Sequence, residues 1–267
     1  MSVCCAKFRS PAMPNVSSFL TGALVLLALS QPVAAGANGR IADALNDPAR
    51  SAADRERDLR EKPQQVLALA GFERGMTVAD VFGGGGYYSE ILAGVVGRKG
   101  KVLLLNNAPY ERFVQRSFET RLADGRLPNV EYRLIANDDL GLEPASLDGA
   151  LINLSLHDLY YADPEHGWPA INDRVFLGQL VAALKPGAHL LVVDHSAKDG
   201  TGTQDTKSLH RIEEKFVITE LRRYGLEWTA AIPVLRNPAD DRSLSAFDPA
   251  IRGRTDRFVH LYRKPGD

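Results

Sequence analysis

Met76-Thr-Val-Ala-Asp-Val-Phe-Gly-Gly-Gly-Gly-Tyr-Tyr-Ser-Glu-Ile-Leu92 decides the reading of this chain. An apolar run, Val78 to Phe82, meets four consecutive glycines, Gly83 to Gly86, and a helical pattern follows at once. The order predicts a strand, a tight turn and a helix start. Glycine reaches backbone angles that other residues resist and lets a ligand come close to the chain. The first N–H groups of the helix have no partner inside it and point at the same spot. A nucleotide-like ligand is the expected occupant.

Outward from this turn, strands and helices alternate. Strands are expected at 77–82, 101–106, 130–135, 147–154 and 189–193, with two more at 228–235 and 257–263. Helices are expected at 49–60, 64–70, 86–96, 110–123, 168–184 and 206–224. The first of these has Asp47 as its cap and Pro48 in its first turn. Its charged residues form a solvated face, from which one arginine is free to close over the ligand site. The strands at 101–106 and 147–154 are continuously apolar, as in a parallel sheet covered on both faces. Ligands bind such α/β sheets beyond the carboxyl ends of the strands, where the strand order reverses. The residues there are polar: Asp80 with the glycines, Asn106 and Asn107, Asn137 to Asp139, Asn153 with His157 and Asp158, and Asp194 with His195.

This arrangement resembles the class I S-adenosylmethionine-dependent methyltransferases, over about Gln65 to Lys264. Asp80-Val-Phe-Gly-Gly-Gly-Gly86 corresponds to the family's acidic-x-Gly-x-Gly-x-Gly motif, with Phe82 in place of the first glycine. Lys185-Pro-Gly-Ala188 resembles the turn before the family's fifth strand, and Asp148-Gly-Ala-Leu151 the motif of its fourth. The Gly-Gly-Gly-Tyr-Tyr run, Asp194-His195 and Arg236-Asn-Pro-Ala-Asp-Asp-Arg242 resemble a group of exported bacterial predicted methyltransferases. The resemblance implies a Rossmann-like α/β fold with a mostly parallel seven-stranded sheet and helices on both faces. It implies S-adenosylmethionine as cofactor, held by Asp80, Gly83, Gly84, Gly85, Gly86, Asn106, Asp138 and Asn153. Asn106 stands where the family carries the acid that holds the ribose hydroxyls, and Asp138 would sit by the adenine amino group.

His157, Asp158 and His195 are the candidate catalytic residues. A neutral imidazole takes a proton near pH 7, although methyl transfer mainly requires alignment. His166 and His210 also fall in flanking segments, whereas His189 and His260 lie in strands as packing residues. No metal is expected, because a set of His157, Asp158, Asp194 and His195 has no HxxxH or HExxH spacing behind it. His210-Arg211 and the loop 236–256 are placed in the substrate wall or in a salt-bridged loop. Ser89 and Ser155 lack the elbow of a serine nucleophile.

The N-terminus reads as a cleavable signal peptide, residues 1–35: Lys7 and Arg9, an apolar run from Phe19 to Leu29, then Val33-Ala-Ala35. Its apolar run is short for a membrane span, so stable membrane insertion is not expected after cleavage. Residues 36–47 read as a flexible mature N-terminus and 48–267 as one methyltransferase-like domain. Both cysteines, Cys4 and Cys5, lie in the leader, which leaves no disulfide and no thiolate ligand in the mature chain. The expected location is the periplasm or outside the cell. A formal net charge of −1 excludes a nucleic-acid footprint. The partner expected is a small-molecule substrate. Two alternatives stay open: a non-catalytic ligand-binding module on the same fold, and a nicotinamide-dependent oxidoreductase. Gly-x-Gly-x-x-Gly, however, would need glycine where Tyr88 or Ser89 stands.

Overall fold

The computed structural model describes residues 1–2 and 31–266, with side chains from residue 36 onward in the first helix. That helix, α1, is Gln31–Leu45, followed by α2 (Ala52–Glu61) and α3 (Pro63–Ala70). Then come β1 (Thr77–Val81), α4 (Tyr87–Val96), β2 (Lys101–Asn106), α5 (Ala108–Phe113), α6 (Ser117–Leu122), β3 (Val130–Leu134) and β4 (Leu147–Asn153). The chain ends with α7 (Asp173–Ala183), β5 (Leu184–His195), α8 (Thr206–Leu209), α9 (Glu214–Arg223), β6 (Glu227–Ala231) and β7 (Arg257–Arg263). The strands form one sheet in the order β3-β2-β1-β4-β5-β7-β6. β1 to β5 run parallel and β7 is antiparallel to both its neighbours. The order reverses between β1 and β4, so the expected α/β fold and its switch point are present.

Alternate strand residues feed two cores, because successive side chains leave a strand on opposite faces. Ala79, Val81, Leu103 and Leu105 pack with Phe176, Leu177 and Leu180 of α7 and Val217 and Leu221 of α9. Val78, Val102, Leu151 and Leu191 pack with Ile41 of α1, Val66 and Leu67 of α3, and Ile91, Leu92 and Val96 of α4. Each such side chain contributes about 1.5–3 kcal/mol on leaving water. Gly149 cannot carry a side chain: a β-carbon there would lie 2.3 Å from the Phe72 ring.

Several expected elements differ. The signal peptide lies almost entirely outside the described residues. The stretch 36–47, expected to be flexible, is mostly helical, with Ile41 buried against the second core and Ala44 close to Gly94. α2 starts at Ala52 with Ser51 as its cap, not Asp47, whose carboxylate instead accepts from Ala49 N–H. The expected helix 110–123 is split by Gln115 and Arg116, both left-handed. The expected helix from Trp168 starts at Asp173, since a residue before proline, here Pro169, disfavours helical angles. Lys185-Pro-Gly187 does not stop a helix ahead of a separate strand; it forms an irregularity inside β5, whose register jumps from Leu184 to His189.

The expected helix 206–224 breaks at His210, which has φ +52°. Tertiary pairing accounts for the break. Ile212 N–H donates to His195 O and Ala197 N–H to Ile212 O, so the chain leaves the helix to lie beside the end of β5. The neighbouring Arg211 is fully buried and paired with Asp240 at 2.9 Å. This arginine is structural and does not line the cavity described below. Among the described residues, no helix is long and apolar enough to cross a membrane.

Candidate functional site

A cavity of about 970 Å³ opens beyond the carboxyl ends of β1, β4 and β5. Asp80, Phe82 and Gly83 to Gly85 form one wall. Asn153, His157, Asp158, His195 and His210 also line the cavity. Ala246, Phe247, Arg252 and Thr255 bring the 236–256 loop to the rim, and Arg57, Arg60 and Glu61 bring α2. Arg57 and Arg60 are the arginines of α2 that line the cavity, the Arg57 guanidinium 4.0 Å from the Tyr87 ring centroid.

The glycine turn is shaped by internal packing. A β-carbon on Gly83 would sit 2.5 Å from the Asp80 carboxylate, and one on Gly85 would sit 2.7 Å from Ser117 Oγ. Gly84 and Gly86 have φ +58° and +77°, values glycine adopts without strain. Gly86 does not line the cavity; Arg121 lies over it, and Arg121 Nε also donates to Gly85 O at 2.7 Å. Phe82 has a left-handed φ of +51°. Its ring stacks on Tyr110 at 4.6 Å and tilts against Phe176 at 5.1 Å.

Asn106 is fully buried and does not reach the cavity. Its Oδ1 accepts from Gly84 N–H and its Nδ2 donates to Gly84 O, both at 2.9 Å. The amide therefore latches the turn and, buried away from the cavity, is not presented to ribose hydroxyls. Asp138 also lies away from the cavity, its backbone carbonyl accepting from Gln179 Nε2. His166 is exposed and pairs with Asp163.

Around His157, polar groups converge. His157 Nδ1 lies 2.8 Å from Asp194 Oδ1, and Asp194 also accepts from the backbone N–H groups of His157 and His195. His157 Nε2 lies 3.4 Å from Asp158 Oδ1. Asp158 Oδ2 accepts from the Tyr110 hydroxyl. His195 Nδ1 is 2.7 Å from Thr255 Oγ1. Burial opposes a charge on His157, but the carboxylates of Asp158 and Asp194 outweigh it and hold the ring up to about 9. Burial raises Asp158. Burial also opposes the charge on Asp194, yet His157 prevails and lowers it. His195, buried beside fewer acids, falls to about 3, and His210 to about 4 through burial and then His157. Burial raises Asp80 to about 6, against a hydrogen bond from Ser89 Oγ at 2.6 Å.

Three residues of the cavity wall carry a buried polar atom without a hydrogen-bond partner: Asn153 Oδ1, the Tyr88 hydroxyl and Arg257 Nε. Tyr110 and Trp168 were not among the expected site residues. Their ring centroids lie 5.7 Å apart on the aromatic side of the cavity. An aromatic in a predicted helix gives no cue to that role.

No family model matches the chain, and no curated protein matches it. Solved structures do. An S-adenosylmethionine-dependent methyltransferase from Aquifex aeolicus superposes with a TM-score of 0.56 at 22% identity, covering 85% of this chain and 98% of that one. One from Methanosarcina mazei gives 0.51 at 16%, covering 76% and 98%. An arsenic(III) S-adenosylmethionine methyltransferase from Chlamydomonas reinhardtii gives 0.51 at 17%, covering 85% and 73%. The chain has the Rossmann-like fold of class I methyltransferases.

Proposed function

We propose that this protein transfers a methyl group from S-adenosylmethionine to a small-molecule acceptor bound in the cavity. One observation carries the reading. The cavity sits at the switch point of a methyltransferase fold, lined by the glycine turn and by residues with partnerless buried polar atoms, Asn153 Oδ1 and the Tyr88 hydroxyl among them. These atoms suit the amino-acid end of the cofactor. Asn153 Oδ1 would accept from its ammonium, and the Tyr88 hydroxyl would donate to its carboxylate. Asp80 adds a carboxylate that favours a nearby cation. The ribose end differs from the family pattern, because Asn106 is turned onto Gly84 and does not line the cavity. Once bound, the cofactor supplies an electrophilic methyl on a sulfonium.

The chain's own residues then hold the acceptor. His157 Nε2 and Asp158 Oδ1 present a polar pair, and Tyr110, Trp168 and Phe247 enclose the acceptor's apolar part. Asp194 fixes the His157 ring through Nδ1.

Calorimetry of the purified chain against S-adenosylmethionine, S-adenosylhomocysteine and NAD tests the reading. Saturable heat with both adenosyl ligands is expected. No heat with either at millimolar concentration refutes it, and heat with NAD alone would turn the reading towards hydride transfer. We further propose export through the leader, supported by Lys7, Arg9 and the apolar run that follows. Fractionation of expressing cells should then yield a shortened chain outside the cytoplasm; a full-length cytoplasmic product would exclude this.

A further inference from the structure

We infer that His157, Asp158 and His210 form a binding site for a divalent transition-metal cation, zinc fitting best, on the cavity wall. Each offers one ligand atom, and the three atoms lie within 4.8 Å of one another. His157 Nε2 is 3.4 Å from Asp158 Oδ1, and His210 Nδ1 is 4.0 Å from the same oxygen. Tetrahedral zinc, with bonds of about 2.0–2.1 Å, sets its ligand atoms about 3.3 Å apart. One pair already has that separation. His210 stands farther off and would have to move towards the other two on binding.

The second polar atoms of His157 and Asp158 are held as metal ligands require. The outer nitrogen of a metal-bound histidine typically donates to a carboxylate, which fixes the tautomer and orients the ring. His157 Nδ1 meets Asp194 Oδ1 at 2.8 Å, leaving Nε2 to face the cluster. Asp158 Oδ2 is occupied by the Tyr110 hydroxyl, leaving Oδ1 to face it. The His210 ring lies stacked on Tyr161 at 5.1 Å and edge-on to Phe247 at 4.7 Å. His210 also holds a left-handed backbone, φ +52°, where the chain leaves α8.

Two imidazoles and one carboxylate select zinc and its neighbours over magnesium and calcium, which prefer sets made of oxygen. Three protein ligands leave a fourth position open to the cavity, as in sites that act on a bound molecule rather than staple a fold. A water or an acceptor hydroxyl at that position would ionise more readily. This last role rests on the methyl-transfer reading; the cation site does not.

The test uses tag-free full-length protein stripped with a chelator, without any adenosyl ligand, titrated with zinc chloride in a calorimeter. One zinc per chain is expected, with magnesium chloride giving no heat. Cobalt(II) should give the intense visible absorption of a tetrahedral site. His210→Asn, which tolerates left-handed angles, should weaken zinc binding by at least about 100-fold. Asp194→Asn should weaken it about 10–100-fold, the range for residues that orient a ligand. Both should retain the far-ultraviolet circular dichroism of the parent. Absence of stoichiometric zinc binding overturns the assignment. So does unchanged affinity in His210→Asn, or loss of the site on replacing the exposed His166 with Gln. Because no adenosyl ligand is present, failure here leaves the cofactor result standing, and the reverse also holds.

Discussion

Replacing Asn106 with Asp would restore the acid that class I methyltransferases carry at the end of the second strand. Family resemblance alone makes this change beneficial for cofactor binding. The geometry makes it harmful. Asn106 is fully buried, with both arms on Gly84 at 2.9 Å. A carboxylate keeps the bond from Gly84 N–H but sets an oxygen against Gly84 O, with no donor between them. The lost bond costs about 1 kcal/mol and the unpaired carbonyl about 1–3 kcal/mol more. Desolvation of the new charge adds to these, so Asn106→Asp should destabilise by about 4 kcal/mol at pH 7. For a domain of this size that lowers the melting temperature by about 10 °C. The pH dependence has a definite sign. The introduced carboxyl is disfavoured as an anion only in the fold, so its folded pKa lies above the unfolded one. The folded state then binds more protons, and the penalty grows as pH rises. Acidification should bring mutant and parent together, since a protonated carboxyl donates to Gly84 O. Urea denaturation from pH 4 to pH 8 measures this. A mutant within about 1 kcal/mol of the parent at pH 7, or one that binds S-adenosylmethionine more tightly, would refute the latch.

Other changes probe the same wall. Asp80, raised by burial to about 6 from the ordinary 3.8, contributes stability that is full below the lower value and lost as pH rises through the higher one. Arg57 and Arg121 temper this but do not cancel it. Asp80→Asn should remove a decline of about 3 kcal/mol between pH 4 and 7; parallel denaturation curves for parent and variant would contradict this. Phe82→Gly should cost about 2 kcal/mol, less than the usual 3–5 for a buried phenylalanine, because left-handed strain is relieved. A cost of 4 kcal/mol or more in chemical denaturation would show that the strain is not there. Arg121→Met leaves Asp54 without its partner and Glu90 with Arg126 alone. It should destabilise by about 3 kcal/mol, and an unchanged melting temperature would dismiss the pairing.

The sheet was legible because its signals are local. β2 and β7 occupy the expected ranges, 101–106 and 257–263, since apolar runs between turn residues mark strands directly. The glycine turn was legible for the same reason. What escaped was decided by distant contacts. Gln115, Arg116 and His210 take left-handed angles without being glycine, so no local cue marks those helix ends. Asn106 reads as a strand-end ligand residue, and only the fold shows its amide turned onto Gly84. His157 and Asp158 are adjacent in sequence, but His210 lies 52–53 residues further on. No metal motif has that spacing, and the cluster exists only because Ile212 lies beside β5 and draws His210 inward.

α2 differs from every other helix that bounds the cavity. Its buried residues are Asp54 and Glu61, and its single leucine, Leu59, is exposed. Ion pairs fasten it: Asp54 to Arg121, Asp58 to Arg50, and Glu61 to Arg257 at 2.5 Å. Although burial opposes its charge, Asp54 is lowered by its bond to Arg121, so that link fails as pH falls through the depressed value. Acid should therefore release α2 while the leucine-rich layers stay closed. Amide hydrogen exchange would show this as early exchange across 52–61 ahead of α4. Arg57, Arg60 and Glu61 would swing away together, making this wall of the cavity an acid-opened door.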